Sequence, residues 1–342
     1  MDGVNVGGGV DGGLVGMTAA SIARWEWRAY GRSLQPPLHT QHGLWQRREG
    51  IVLRLVDEQG RVGYGEIAPI PWFGSETIAQ AIAFCQSLPA AIAHSHLPTI
   101  PDHLPACQFG FESAWATLEA PENPPDLPPD RLCALLPTGA IALDAWAELW
   151  ARGHRTFKWK IGVAELPTEL AWFEQLMTAL PAEAAVRLDA NGGLSVAAAA
   201  TWLAATHGTA VEFLEQPLPP AQFAELMQLQ AQGKTAIALD ESVATLAQLQ
   251  QCDRQGWRGI YVLKPAIAGS PRRLRQVCQA QSLDLVFSSA LETEIGRQAG
   301  LRLALDLGNP ARALGYGTAH WFTPIAPAPT QQEQFEQLWQ TL

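Results

Sequence analysis

Apolar and polar positions alternate along residues 24–30, and the same two-residue period returns over residues 51–56 and 61–66, either side of Asp57-Glu58-Gln59-Gly60. Alternation broken by a polar, Gly-ended turn predicts strands joined by a hairpin, here an antiparallel meander. The period then lengthens. Ser75-Glu76-Thr77 opens a stretch over residues 78–88 whose apolar positions recur at helical spacing, and residues 108–118 repeat it. Residues 21–120 therefore predict an α+β unit. Pro121, Pro124, Pro125, Pro128 and Pro129 follow within nine residues, a stiff connector over 121–130 that excludes helix and central strand.

Beyond the connector, short apolar or β-branched runs alternate with Ala-, Leu- and Gln-rich helical stretches. The strand candidates are residues 132–136, 156–161, 185–188, 211–214, 236–239, 259–263, 285–287 and a weak one at 313–314. Eight such units over residues 131–318 predict an α/β fold, a (β/α) barrel of TIM type, although periodicity alone also fits a doubly wound sheet. Residues 319–342 are expected to pack back on the first unit.

Polar residues separate the two folds. The residues at the C-terminal ends of six of the eight strand candidates are Lys160, Asp189, Glu215, Asp240, Lys264 and Ser289, at intervals of 29, 26, 25, 24 and 25. One such group per unit, always at the same end, converges on the mouth of a barrel. In Phe157-Lys158-Trp159-Lys160-Ile161 the two-residue period puts both lysines on one face and the apolar residues on the other. Two ammonium groups close together raise each other's free energy, so one can act as a base near neutral pH. An edge strand with solvated lysines is the bland alternative, opposed by the matching anions on the following strands.

Those anions are Asp189, Glu215 and Asp240. Singly, each could cap a helix or occupy its first turn. Three in register cannot be crowded together without a counter-charge, and oxygen donors without His or Cys favour Mg²⁺ over Zn²⁺, with Mn²⁺ expected to substitute. Glu241 is expected to pair with a lysine behind the ligands. Lys264, across the barrel from Lys160, could stabilise an anion, donate a proton or act as a second base. Arg187, two residues before Asp189, is a candidate for a substrate carboxylate, with a surface salt bridge as the alternative. His39, His94, His96, His103 and His207 fall in loops or at helix ends without H-E-x-x-H spacing, and no chemistry attaches to them.

Composition narrows the partner. With 47% hydrophobic and 16% charged residues over 342 positions, the chain can bury a large core. Its net charge of −10, without a basic run, argues against nucleic acid and anionic membrane. No 18-residue uncharged apolar window suggests a membrane span. A small-molecule carboxylate is the expected partner. Cys85, Cys107, Cys133, Cys252 and Cys278 are widely spaced and odd in number, which fits free core thiols in a reducing cytoplasm. The first sixteen residues hold seven Gly, two Asp and no Lys or Arg. Residues 1–20 are therefore expected to be a disordered leader rather than a secretion signal.

Lys158-x-Lys160, Asp189-Ala190-Asn191, Glu215-Gln216-Pro217, Leu239-Asp240-Glu241-Ser242 and Leu263-Lys264-Pro265, in that order and spacing, resemble the muconate-lactonising subgroup of the enolase superfamily. The resemblance covers the chain after residue 20. It implies a modified barrel with an N-terminal capping domain, a lysine base and Mg²⁺. Within the subgroup, two segments resemble o-succinylbenzoate synthases: residues 63–77, which would form a lid carrying Phe73, Gly74 and Ser75, and residues 287–296, with Ser288 and Ser289. What that resemblance implies is loss of water from 2-succinyl-6-hydroxy-2,4-cyclohexadiene-1-carboxylate to give o-succinylbenzoate. In those roles Asp189, Glu215 and Asp240 would hold Mg²⁺, Lys160 would take the α-proton, Lys158 would depress its pKa, and Lys264 would face the other side. Asn191, Arg187, Ser288, Ser289, Phe73, Gly74, Ser75 and Gly315 would contact substrate. An N-acylamino acid racemase or dipeptide epimerase suits two opposed lysines equally well. Gly315-Tyr316-Gly317-Thr318, however, lacks the acidic pair that similar dipeptide epimerases carry after the last strand. A non-catalytic barrel would be expected to have lost at least one of the five ionisable residues, and none is lost.

Overall fold

In the computed structural model, which describes residues 22–40, 43–120, 127–318 and 328–342, the chain opens with three antiparallel strands. They are β1 (Ile22–Thr40), β2 (Gly43–Asp57) and β3 (Val62–Ile67), followed by α1 (Ile78–Ser87), a short β4 (Ala91–Ala93) and α2 (Pro105–Glu119). The expected leader, most of the proline connector and residues 319–327 lie outside the described residues. The sheet order is β3-β2-β1-β4. The β2–β3 turn is set by Asp57, whose carboxylate accepts the amides of Gln59 and Arg61 at 3.0 and 2.8 Å. β1 runs on well past the alternating segment of the sequence, and β4 carries no pattern of its own.

The two-residue period decides what each face of this sheet meets. Ile51, Leu53 and Leu55 pack with Trp25, Phe111 and Trp115 beneath α1 and α2. Val52 and Tyr64, on the opposite face, pack with Tyr30 and with Phe335, Leu338 and Trp339 of α11 (Gln331–Thr341). α2 lies so close to β3 that a Cβ on Gly65 would stand 2.0 Å from the Gly110 carbonyl oxygen. Only glycine permits that approach.

The second unit alternates strand and helix: β5 (Leu132–Leu135), α3 (Ala142–Ala151), β6 (Thr156–Lys160), α4 (Leu166–Ala179), β7 (Ala185–Asp189), α5 (Val196–Ala205), β8 (Val211–Glu215), α6 (Phe223–Gln232), β9 (Ile237–Leu239), α7 (Leu246–Arg254), β10 (Ile260–Leu263), α8 (Pro265–Ala268), α9 (Pro271–Ala280), β11 (Asp284–Phe287), α10 (Glu294–Leu307) and β12 (Leu314–Gly317). The eight strands form one parallel sheet in the order β11-β10-β9-β8-β7-β6-β5-β12. A parallel bridge between Ser288 and Gly315 brings the two ends together and makes the sheet a barrel. Every strand candidate of the sequence is one of these eight. Trp159, Leu188 and Leu214 face outward into the helical layer with Phe173 and Trp202. Phe213, Ala238, Ile260, Val262 and Val286 fill the interior below the mouth.

The capping unit is tied to the barrel through buried polar groups. Glu66, at the end of β3 and fully buried, accepts the Tyr30 hydroxyl at 2.5 Å and the Thr293 and Gly296 amides at 2.9 Å. Glu112 of α2 accepts the Ser270 hydroxyl and the Arg272 amide. Among the described residues no helix is long and apolar enough to cross a membrane.

Candidate active site

Backbone register puts the strand-end residues at one height. Lys160 pairs with Asp189, and Asp189 with Glu215. Two residues lower, Lys158 pairs with Arg187 and Arg187 with Phe213. Asp240 follows β9 directly, and Lys264 follows β10. Lys158, Lys160, Asp189, Asn191, Glu215, Asp240, Lys264, Ser288, Ser289 and Gly315 thus line a single cavity of about 400 Å³ at the C-terminal end of the barrel.

Asp189, Glu215 and Asp240 are 6%, 2% and 3% exposed. Lys158 Nζ sits 2.7 Å from Asp189 Oδ2 and 2.6 Å from Glu215 Oε1, and Lys264 pairs with Asp240. Burial works against a charged Lys158, but the adjacent Asp189 and Glu215 outweigh it and hold its pKa well above the ordinary lysine value. Lys158 therefore stays charged. Burial acts to raise Asp189 as well, and the Lys158 ammonium overrides it, leaving that carboxyl below the usual range. Glu215 is pushed up to about 8, by burial and then by the Asp189 charge. Burial lifts Asp240 to about 6 against the pull of Lys264.

Could these residues hold a divalent cation? The donors are all carboxylate oxygens on three consecutive strand ends, the chemistry Mg²⁺ takes. Two ammonium groups now balance their charge. Among the described residues no three acidic, His or Cys side chains are drawn up to a common point, because Lys158 stands between Asp189 and Glu215. By the chemistry of its donors the set fits the ion.

Two sequence expectations, for Glu241 and for the lid, meet a different geometry, and Arg187 takes both of its expected contacts only in part. Glu241 accepts the Asn191 amide at 3.2 Å rather than pairing with a lysine. It lies in the short 3-10 turn after Asp240, which returns its carboxylate toward β7, and its other oxygen has no hydrogen-bond partner. Arg187 is 2% exposed. Its Nε pairs with Glu212 at 2.7 Å and its guanidinium lies 4.9 Å from the Phe213 ring centroid, while its Nη2 has no hydrogen-bond partner among the described residues and the residue lines the cavity. Of the three lid residues only Phe73 lines the cavity. Ser75 accepts the Ile70 amide at 2.6 Å and closes the lid on itself, while Gly74 adopts φ 107° beside Ala244 and Gln248.

The structure adds wall residues that the sequence did not single out. Leu38 and Trp45 of the β1–β2 hairpin, with Leu135, Thr138 and Leu291, complete the cavity. Trp45 meets lid residue Trp72 edge-on at 4.9 Å. The only signal in the sequence was an exposed-type tryptophan in the polar run Gly43-Leu44-Trp45-Gln46-Arg47-Arg48.

Residues 142–336 match the enolase C-terminal domain-like family, and residues 30–118 match the family described as MenC, N-terminal domain. An o-succinylbenzoate synthase of Thermosynechococcus vestitus is 46% identical over 324 residues, covering 93% of this chain and 99% of the relative. The crystal structure of o-succinylbenzoate synthase from Thermosynechococcus elongatus BP-1, complexed with Mg in the active site, superposes with a TM-score of 0.86 at 45% identity, covering 93% of this chain and 100% of that one. The L-Ala-D/L-Glu epimerase of Bacillus subtilis shares the fold at a TM-score of 0.72 and 19% identity, over 89% of this chain and 91% of the other.

Proposed function

The chain belongs to the o-succinylbenzoate synthase family of the enolase superfamily, and from that membership we propose that it converts 2-succinyl-6-hydroxy-2,4-cyclohexadiene-1-carboxylate to o-succinylbenzoate with Mg²⁺ as cofactor. The identity along nearly the whole of both chains carries this reading. The reaction is a step toward menaquinone or phylloquinone. A cytoplasmic setting is supported by five cysteines that are all free.

Asp189, Glu215 and Asp240 are the residues that would hold the ion. When bound, Mg²⁺ supplies positive charge where negative charge develops on the substrate carboxylate. Lys160 takes the proton from the carbon bearing that carboxylate, and the released electron pair is delocalised into the carboxylate. As the pair returns to the ring, the bond to the neighbouring hydroxyl breaks and the ring becomes aromatic. The proton on Lys160 lies on the same face as the departing oxygen in a syn elimination and leaves with it as water. Lys158 stays cationic beside Asp189 and Glu215, two residues before Lys160 on the same strand face. Lys264, on the opposite side, places an ammonium against the developing charge. Phe73 and the Trp45–Trp72 pair exclude water over the site.

Purified protein supplied with Mg²⁺ should convert the cyclohexadiene, followed as a change in its absorbance, and lose that activity in EDTA. A folded, Mg²⁺-supplied protein that racemised N-acylamino acids and left the diene untouched would overturn the reading. The same lysine pair would support such a racemase, but Gly315-Tyr316-Gly317-Thr318 offers no acid to a cationic amine.

A further inference from the structure

Arg48, on β2, is 2% exposed and has no carboxylate partner among the described residues. Its donors go to backbone carbonyls: Nε to Ala290 at 3.1 Å, Nη1 to Glu49 at 2.7 Å and Pro69 at 2.8 Å, and Nη2 to Ala68. The guanidinium also lies 5.6 Å from the Trp45 ring centroid. A buried cation without an anion is costly to keep. What this one holds together is specific.

Ala68 and Pro69 are the root of the lid. β3 ends at Ile67, and the chain from there to Phe73 turns once, with the Phe73 amide donating to the Ile70 carbonyl at 2.9 Å. Ala290 belongs to the opposite wall. It is flanked by Ser289, which lines the cavity, and by Leu291, a leucine at φ 58°. A β-carbon-bearing residue in that region persists only where its surroundings over-determine it. Glu292 grips the segment from one side, accepting the Ser289 hydroxyl at 3.0 Å and the Ala290 amide at 2.6 Å. Arg48 grips it from the other.

We propose that Arg48 is a positioning residue for the reaction: one forked guanidinium sets the lid root and the Ser289–Leu291 wall in a common geometry, so that Phe73 and Ser289 address the substrate together. A lysine cannot replace it, because a single ammonium does not reach carbonyls on both sides in the plane that the guanidinium spans. The proposal rests on the dehydration reading for its kinetic consequence, though not for its structural one.

The test uses Arg48→Lys and Arg48→Met in the full chain with Mg²⁺. Amide hydrogen exchange, measured without substrate, should quicken by about tenfold or more in both residues 68–76 and residues 288–292 of each variant, with β6–β9 unchanged. A uniform rise across the protein would mark a merely structural residue, and no rise in either segment would remove the proposal. In turnover, KM should rise by about tenfold with a smaller fall in kcat. Arg48→Lys and Phe73→Ala should be non-additive, since each disturbs the same lid. Additive effects, or an Arg48→Lys protein indistinguishable from the parent, would overturn it. Arg48→Lys carries the test if Arg48→Met does not fold. A parent protein that failed to dehydrate the diene would sink the functional reading and leave this inference to stand or fall on exchange.

Discussion

The ring centroid of Phe73 lies 4.1 Å from Nζ of Lys264, so the lid touches a lysine that follows β10 at the barrel mouth. A cation over an aromatic face in a dry site is held by about 2 kcal/mol. Phe73→Leu keeps the bulk and removes the π face. It should lower kcat/KM for dehydration by roughly tenfold, in keeping with that energy. A value within twofold of the parent would mean that Phe73 only excludes water.

Lys160→Ala removes the proton acceptor but no carboxylate. It should lower kcat by about 10²–10⁴-fold or more, the usual worth of a general base, with Mg²⁺ affinity and o-succinylbenzoate binding, both measured by calorimetry, kept within about tenfold. Retention of a tenth of the parent kcat would remove Lys160 from the role of base.

Lys264→Arg separates elimination from racemisation. The guanidinium preserves the charge opposite Asp240 but cannot accept a proton at neutral pH. Any racemisation of N-succinyl amino acids must vanish, while dehydration persists at a reduced rate. Chiral chromatography and diene absorbance on one preparation decide it, and surviving racemisation would contradict a role for Lys264 as second base.

The carboxylates are checked by direct binding. Asp189→Asn, Glu215→Gln and Asp240→Asn should each weaken Mg²⁺ binding strongly in calorimetry, and EDTA should abolish activity that Mg²⁺ or Mn²⁺ restores and Zn²⁺ restores poorly. Undiminished affinity in all three variants would make the cluster structural.

Glu292 offers a pH test away from these carboxylates. Burial, with the nearby Glu66 charge adding to it, raises its pKa to about 7 against an ordinary 4.5. Below the ordinary value both folded and unfolded chains hold the proton, and its contribution to stability is complete. As pH climbs toward 7 the unfolded chain ionises first, so stability is lost, at about 1.4 kcal/mol per unit of difference and about 3 kcal/mol in all. Glu292→Gln should be free of that loss, giving similar urea midpoints to the parent at pH 5 and a higher one at pH 8. Parallel pH curves for the two proteins would show that Glu292 is ionised in the fold.

The barrel was legible in the chain because its strands are short and apolar and six of the eight are closed by one polar residue at a regular interval. Lys160, Asp189 and Glu215 needed only that register to be placed at one mouth. Leu38, Trp45 and Arg48 were not legible, since nothing local ties them to the site. Arg48 meets Ala290 across 242 positions of sequence, and it reads as one more basic residue in a polar strand end until the fold buries it. Glu241 failed for a different reason: a 3-10 turn rotates side chains by an angle that neither strand nor helix periodicity predicts.

The far face of the β1–β3 sheet is covered by Phe335, Leu338 and Trp339 of α11, while Glu336 holds Tyr64 and Arg54 at its edge. During synthesis on the ribosome all eight barrel strands therefore emerge while that face is still wet. β3, from which the lid springs, is already tied through Glu66 to Thr293 and Gly296, and α11 covers its other face afterwards. The order of the chain thus leaves the far face of the capping sheet to be covered after the barrel strands have all been made.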